Sequence, residues 1–132
     1  YKGKNSTFDS FCWHYDDAET LPTHTTVLAS NKKSKIQSIS FDHNKSIIWA
    51  VQYHPEFDPL WISGLMEQRE KLLIDECIYR DKEEFDLYKN FFSNIKDQIA
   101  QNNLLQLSDN IIDEDKHSLE LLNWINFIKN QN

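Results

Sequence analysis

Strand-like periodicity dominates the first half of the chain. Apolar and polar residues alternate over residues 36–41, which predicts a strand with one face turned inward. Beyond a turn-forming segment at residues 42–45, residues 46–53 are almost continuously apolar, which is typical of a strand buried on both faces. We expect these two segments to pair as an antiparallel hairpin, with a short strand at Thr26–Ala29 before them.

Helical periodicity dominates the second half. Asp58 followed by Pro59 combines a capping residue with proline at the first helical position, so a helix is predicted over residues 59–77. An apolar stripe with spacings of three and four residues predicts a second helix over residues 84–102, with the stripe in the core or facing a partner. The stripe consists of Tyr88, Phe91, Phe92, Ile95 and Ile99.

The C-terminal end of the chain carries a further helical pattern. A polar loop is predicted around residues 108–115, before a last helix. That helix is marked by apolar residues three positions apart, namely Leu119, Leu122, Ile125 and Ile128.

The order of these elements, strands first and helices afterwards, sets the fold class. The chain has 132 residues, about the length of one domain, and its strands are too few for a complete α/β sheet. We therefore expect an α/β fold of which this sequence is the C-terminal part. Residues 1–80 are expected to hold the sheet-bearing part, and residues 81–132 a helical extension that packs on it. Because the first residue is Tyr1, we expect a fragment or a processed product.

The composition excludes several classes of function. Fourteen basic against 21 acidic residues give a formal charge of −7, so neither nucleic acid nor a membrane is expected as a partner. No stretch approaches the roughly 20 apolar residues of a membrane span. The two glycines, Gly3 and Gly64, are too few for a glycine-rich phosphate loop. The two cysteines, Cys12 and Cys77, form no disulfide framework, so we expect reduced thiols and a cytoplasmic protein.

The end of the second predicted hairpin strand carries the candidate chemistry. Pro55 holds the preceding His54 in extended geometry, and in an extended chain His54 and Glu56 point the same way. A carboxylate there can orient the imidazole and stabilise its cation, as a general base requires. The simpler alternative is a hydrogen-bonded histidine at a strand end. The other four histidines lack metal-ligand spacing, so no metal is expected.

This stretch resembles a family motif. Ala-Val-Gln-Tyr-His-Pro-Glu at residues 50–56 is similar to the G-V-Q-[FY]-H-P-E motif of class I glutamine amidotransferases, with Ala50 in place of glycine. Trp-His-Tyr-Asp at residues 13–16, followed by Leu-Pro at 21–22, resembles the W-x-H-x-D…L-P run of the branch close to GMP-synthase-type domains. The resemblance covers roughly residues 8–75.

The resemblance implies a flavodoxin-like α/β domain that hydrolyses the side-chain amide of glutamine through a Cys-His-Glu triad, without a cofactor. It implies that His54 is the general base and Glu56 its orienting carboxylate. It also implies that His14, Tyr15 and Asp16 lie against the bound glutamine. The ammonia of such domains usually passes to a synthetase or transferase partner domain.

The family nucleophile has no counterpart among these residues. It lies in a G-x-C-x-G segment, whereas Cys12 and Cys77 have no glycine beside them and are expected to be small buried apolar residues. The chain alone is therefore expected to be inactive, because the triad acts as a unit. Two alternatives stay open: a γ-glutamyl-cleaving hydrolase of the same fold, and a non-catalytic interaction protein that kept the motif.

Overall fold

Strands precede helices in the computed structural model of the protein, which describes residues 1–95 and 108–130. This order confirms the predicted α/β class. Two units are distinguished. The sheet unit is Phe11–His54, and the helical unit joins Tyr1–Ser10 to Pro55–Asn132. Among the described residues, no helix combines the length and the apolar character needed to cross a membrane.

The sheet unit contains three antiparallel strands in the order β1 (Thr26–Ala29), β2 (Ser38–His43) and β3 (Ser46–Val51). The β2–β3 register runs from Ser38 opposite Val51 to His43 opposite Ser46, so the predicted hairpin is confirmed. Its turn contains Asn44 at a φ of 56°, a left-handed conformation that asparagine tolerates better than most residues.

The expectation that the second hairpin strand is buried on both faces is wrong. Within the sheet unit, β2 is paired on both edges, whereas β3 is paired on one. Ile47 and Val51 of β3 are 51% and 42% exposed. An apolar run becomes a buried strand only where further layers cover it, and residues 11–54 provide no such layers.

The helical unit begins its first long helix, α1 (Pro59–Asp75), as the capping residues predict. The Asp58 side chain accepts a hydrogen bond from the Trp61 backbone N–H at 2.7 Å. The helix ends two residues earlier than predicted, because Cys77 adopts a left-handed φ of 57°. The N–H groups of Cys77 and Ile78 then close the helix end on the carbonyls of Ile74 and Leu73.

The second long helix, α2 (Lys82–Ser93), starts close to its predicted position. The Asp81 side chain caps it by accepting from the Glu84 backbone N–H at 2.9 Å. Phe91 and Ile95 of the predicted apolar stripe are buried. The helix ends at Ser93, earlier than predicted, with Asn94 as its C-cap. Residues 96–102 of the predicted helix, including Ile99, lie outside the described residues.

The prediction of a polar loop around residues 108–115 is wrong in part. Two short helices occupy this region, α3 (Asp109–Ile112) and α4 (Glu114–His117), because Asp113 accepts hydrogen bonds from the next turn and starts α4. The predicted last helix is confirmed as α5 (Leu119–Lys129). Its apolar stripe is not buried, however. Leu122, Ile125 and Ile128 are 41–44% exposed.

The N-terminal segment of the helical unit packs on this C-terminal region. The Lys4 ammonium is buried, forms an ion pair with Glu120, and donates to the His117 carbonyl at 3.3 Å. Gly3 adopts a φ of 84°, and a Cβ there would lie 3.3 Å from Leu119, so glycine suits this close approach. Residues 1–10 therefore contact the helices beyond residue 108. The domain boundary near residue 80 stays a prediction.

Candidate active site

His54 occupies the last position of the sheet unit, three residues beyond β3. Its backbone N–H donates to the Phe11 carbonyl at 2.7 Å in an isolated antiparallel bridge, so its main chain is extended as the following proline predicts. Burial alternates along this stretch. Tyr53 and Pro55 are buried, His54 is half-buried and Glu56 is exposed, as a period of two residues produces.

The predicted hydrogen bond between His54 and Glu56 stays a prediction. The sheet unit ends at His54, and the helical unit resumes at Pro55. The roles of His54 as general base and Glu56 as orienting carboxylate likewise stay predictions.

The residue bridged to His54, Phe11, lies three residues before the predicted substrate-binding segment, residues 14–16. His14 is half-buried, and its Nδ1 lies 3.1 Å from the Asp16 main-chain oxygen. The Asp17 carboxylate lies 3.9 Å from the same nitrogen. Tyr15 is 72% exposed, so its ring is turned outward. The structure thus brings the His14 ring to the main chain of Asp16, while Tyr15 points to solvent.

A buried glutamine, Gln37, contacts the second ring nitrogen of His14. Gln37 is 4% exposed, and its Nε2 lies 3.3 Å from His14 Nε2. Gln52, inside the family-like motif, donates from its Nε2 to the Asp16 main-chain oxygen. Neither glutamine was predicted as a site residue. The position of Gln52 in the motif could have indicated it, whereas the role of Gln37 depends on distant parts of the chain.

The expectation that both cysteines are buried is wrong, since Cys12 and Cys77 are free and exposed. Cys12 lies in an irregular segment before β1, and Cys77 lies at the left-handed end of α1. The Cys12 sulfur donates to Gln37 Oε1 at 3.7 Å. Neighbouring atoms desolvate this sulfur and raise the pKa of the Cys12 thiol. A raised pKa disfavours the thiolate that a catalytic cysteine needs.

Within residues 1–95 and 108–130, no three His, Cys, Asp or Glu side chains form a group that could hold a metal ion.

A known protein family matches the part of the chain that contains the sheet unit. The sequence model of the family described as glutamine amidotransferase class-I matches residues 1–61, which include the whole sheet unit. This match supports a class I glutamine amidotransferase domain in residues 1–61, and it agrees with the resemblance seen in the sequence.

A curated relative extends the comparison beyond this domain. A protein named gamma-glutamyl-L-1-hydroxyisopropylamide hydrolase, from a Pseudomonas species, is 28% identical over 133 aligned residues. The alignment covers 97% of this chain but 44% of the relative, so the chain spans less than half the length of that protein. No solved structure gives a significant match. Family and relative together associate the chain with hydrolases and amidotransferases.

Proposed function

We propose that the protein hydrolyses the γ-carboxamide C–N bond of glutamine or of a related γ-glutamyl amide, with His54 as general base. The observation that carries this proposal is the backbone bridge between His54 and Phe11, with a hydrogen bond of 2.7 Å. Phe11 precedes His14 by three residues, so the bridge holds the main chain of the proposed base beside the stretch of chain that leads to His14 and Asp16. A general base must lie close to the bound substrate, and this bridge supports such a placement of His54.

The proposed chemistry uses a cysteine outside these 132 residues as nucleophile. His54 accepts the thiol proton, and the thiolate attacks the amide carbon to form a tetrahedral intermediate. The C–N bond then breaks, the proton passes to the departing ammonia, and water hydrolyses the resulting thioester. Glu56 orients the His54 ring throughout and stabilises its cation.

Both cysteines of this chain are unsuited to the nucleophile's part. Neither has glycine beside it, and a glycine-flanked turn is what exposes the nucleophile in such folds. The raised pKa of Cys12 also keeps its thiol protonated near neutral pH. The nucleophile is therefore proposed to lie in a G-x-C-x-G segment of the full-length protein.

Two versions of this function differ in the amine that leaves the substrate and in whether it is transferred to an acceptor. In the first, a synthetase or transferase partner domain receives the ammonia, and the protein is a glutamine amidotransferase. In the second, the substrate is a γ-glutamyl amide of a larger amine, and the products are released. The relative's name and its alignment with 97% of this chain, beyond the matched residues 1–61, favour the second version.

Product release by the full-length protein tests the proposal. We would measure glutamate and amine formed from glutamine and from γ-glutamyl-ethylamide, an amide of a larger amine. Hydrolysis of at least one substrate is expected, and the ratio of the two kcat/KM values separates the two versions. Absence of turnover with both substrates would favour a non-catalytic interaction protein.

Matched cysteine variants locate the nucleophile. Cys12→Ser and Cys77→Ser in the full-length protein are expected to keep the wild-type rate, and the 132-residue chain alone is expected to be inactive. Loss of turnover on replacing Cys12, or substantial turnover by the isolated chain, would show that the nucleophile has been misplaced.

A further inference from the structure

Gln37 directly precedes the middle strand β2 and is held there by its main chain. Its N–H donates to the Ala29 carbonyl at 2.9 Å, and its carbonyl accepts from the Gln52 N–H at 2.8 Å. These bonds join the end of β1 to the residue beyond β3. The Gln37 side chain, 4% exposed, therefore projects from a fixed position.

The two ends of the Gln37 amide contact two different side chains: the Cys12 thiol at the amide oxygen and the His14 ring at the amide nitrogen. Oε1 lies 3.7 Å from the Cys12 sulfur, and Nε2 lies 3.3 Å from His14 Nε2. A protonated thiol is a donor and matches the amide oxygen. The raised pKa of Cys12 keeps that thiol protonated, which supports this orientation of the amide.

The contacts of His14 fix the direction of the remaining hydrogen bonds. Its Nδ1 lies 3.1 Å from the Asp16 main-chain oxygen, which can only accept. Nδ1 must therefore carry a proton. In a neutral imidazole the other nitrogen is then an acceptor, and the NH2 group of Gln37 is the donor that faces it.

We propose that Gln37 is a positioning residue: its amide fixes His14 in the Nδ1–H tautomer and so anchors the main chain of Asp16 in the substrate-binding segment. The role of that segment rests on the proposed function. Gln52 provides a second anchor, since its Nε2 donates to the same Asp16 oxygen. A carbonyl that accepts from two side chains is held in one orientation, which presents the segment to substrate with little freedom left to lose.

An amide suits this position because it supplies an acceptor at one end and a donor at the other. A carboxylate at residue 37 would face His14 with an acceptor and would draw a proton onto Nε2. A thioether of similar length would fill the space without making either hydrogen bond. Gln37→Glu and Gln37→Met therefore separate hydrogen-bond direction from packing.

The tautomer can be read directly in the wild-type protein. Two-bond 1H–15N spectra of the full-length protein, with the His14 signals assigned by their loss in His14→Gln, distinguish a protonated from an unprotonated ring nitrogen. At pH 8 we expect a protonated Nδ1 and an unprotonated Nε2. In Gln37→Glu we expect a proton on Nε2. A wild-type ring protonated on Nε2 overturns the proposal.

Steady-state kinetics test whether the contact between Gln37 and His14 positions the substrate. Gln37→Met and Gln37→Glu are expected to raise KM for the γ-glutamyl substrate roughly three- to tenfold, with kcat nearly unchanged. The control is Ser38→Ala, a buried polar residue next along the chain, which is expected to leave KM unchanged. An unchanged KM in both Gln37 variants, or an equal rise in the control, overturns the positioning role.

The two measurements also separate this inference from the proposed function. If the wild type hydrolyses no γ-glutamyl amide, the proposed function fails. The tautomer of His14 and its change in Gln37→Glu then decide whether Gln37 holds the segment, independently of turnover.

Discussion

The sheet unit and the helical unit differ in how many apolar side chains they bury. Among the described residues of the helical unit, the buried apolar side chains are Ile62, Met66, Phe85, Phe91, Ile95 and Ile111, together with Pro55 and Pro59. The buried polar side chains in the same part of the chain are Ser63, Asn110, His117 and Glu120. In residues 11–54, all of which the structure describes, the buried apolar residue is Tyr53, and the other buried side chains are Ser34, Gln37 and Ser38. The helical unit is thus stabilised by apolar packing, and the sheet unit by backbone pairing and polar contacts.

This difference has consequences for both stability and function. Burial of a large apolar side chain contributes about 1.5–3 kcal/mol, whereas one net hydrogen bond contributes about 1 kcal/mol. Hydrogen bonds, however, fix direction as well as distance. In the sheet unit, which has the smaller apolar core, hydrogen bonds therefore hold side chains in defined orientations around the proposed substrate-binding segment.

Truncation of the helical core should have the largest effect. Phe85 is fully buried, so Phe85→Ala removes a ring that the surrounding helices cannot replace. We expect the free energy of unfolding to fall by about 3–5 kcal/mol. Urea unfolding followed by circular dichroism measures it. A loss below about 1 kcal/mol would show that the contrast between the units is wrong.

The buried ion pair of the helical unit should rank next. The Lys4 and Glu120 side chains are 1% and 7% exposed, so Lys4→Met leaves an unpaired buried carboxylate. We expect a loss of about 3 kcal/mol, largely restored in the double variant Lys4→Met with Glu120→Leu. Lys71→Met is the matched control, because the Lys71–Asp75 pair is exposed and should contribute less than about 1 kcal/mol. Equal losses in both lysine variants would contradict this prediction.

A polar contact of the sheet unit should contribute less. The Ser34 hydroxyl donates to the Asp17 carboxylate, and Ser34→Ala removes that bond while leaving Asp17 accessible to water. We expect a loss of about 1 kcal/mol in the same urea titration. A loss as large as that of Phe85→Ala would contradict the difference between the two units.

The smallest effect concerns thiol reactivity. The pKa of the Cys12 thiol is raised, so a smaller fraction is thiolate at pH 8 than in an unstructured peptide. In a Cys77→Ser background, iodoacetamide should label Cys12 more slowly than the peptide, and the difference should shrink as the pH rises above the raised pKa. Faster labelling than the peptide would indicate an activated thiol and would reopen Cys12 as a nucleophile.

Local rules in the sequence were enough for much of the fold. The hairpin followed from alternation and turn residues, and the start of α1 followed from Asp58 and Pro59, because capping acts within a few residues. The edge position of β3 did not follow, since an apolar run does not specify its covering layers. The short helices around Asp113 were also missed, because a single cap can start a helix within a polar segment.

The site was predictable where a motif marks it and not where it depends on long-range contacts. His54 and its extended main chain followed from the residues around Pro55. The network around Gln37 did not follow, because Cys12 and His14 lie 25 and 23 residues away from it in sequence. Alternation could assign Gln37 to a face of the strand, but hydrogen-bond partners that distant appear only in the folded chain.

The turnover rate of variants at residue 54 tests the assignment of His54 as general base. In the full-length protein we expect His54→Ala to lower kcat for its γ-glutamyl substrate by about 10²–10⁴-fold, because the thiol loses its proton acceptor. Glu56→Ala should lower kcat less, since it removes orientation and not the base. His43→Ala, which replaces an exposed histidine at the end of β2, should leave kcat unchanged. A His54→Ala enzyme that turns over at the wild-type rate would contradict the assignment of His54 as general base.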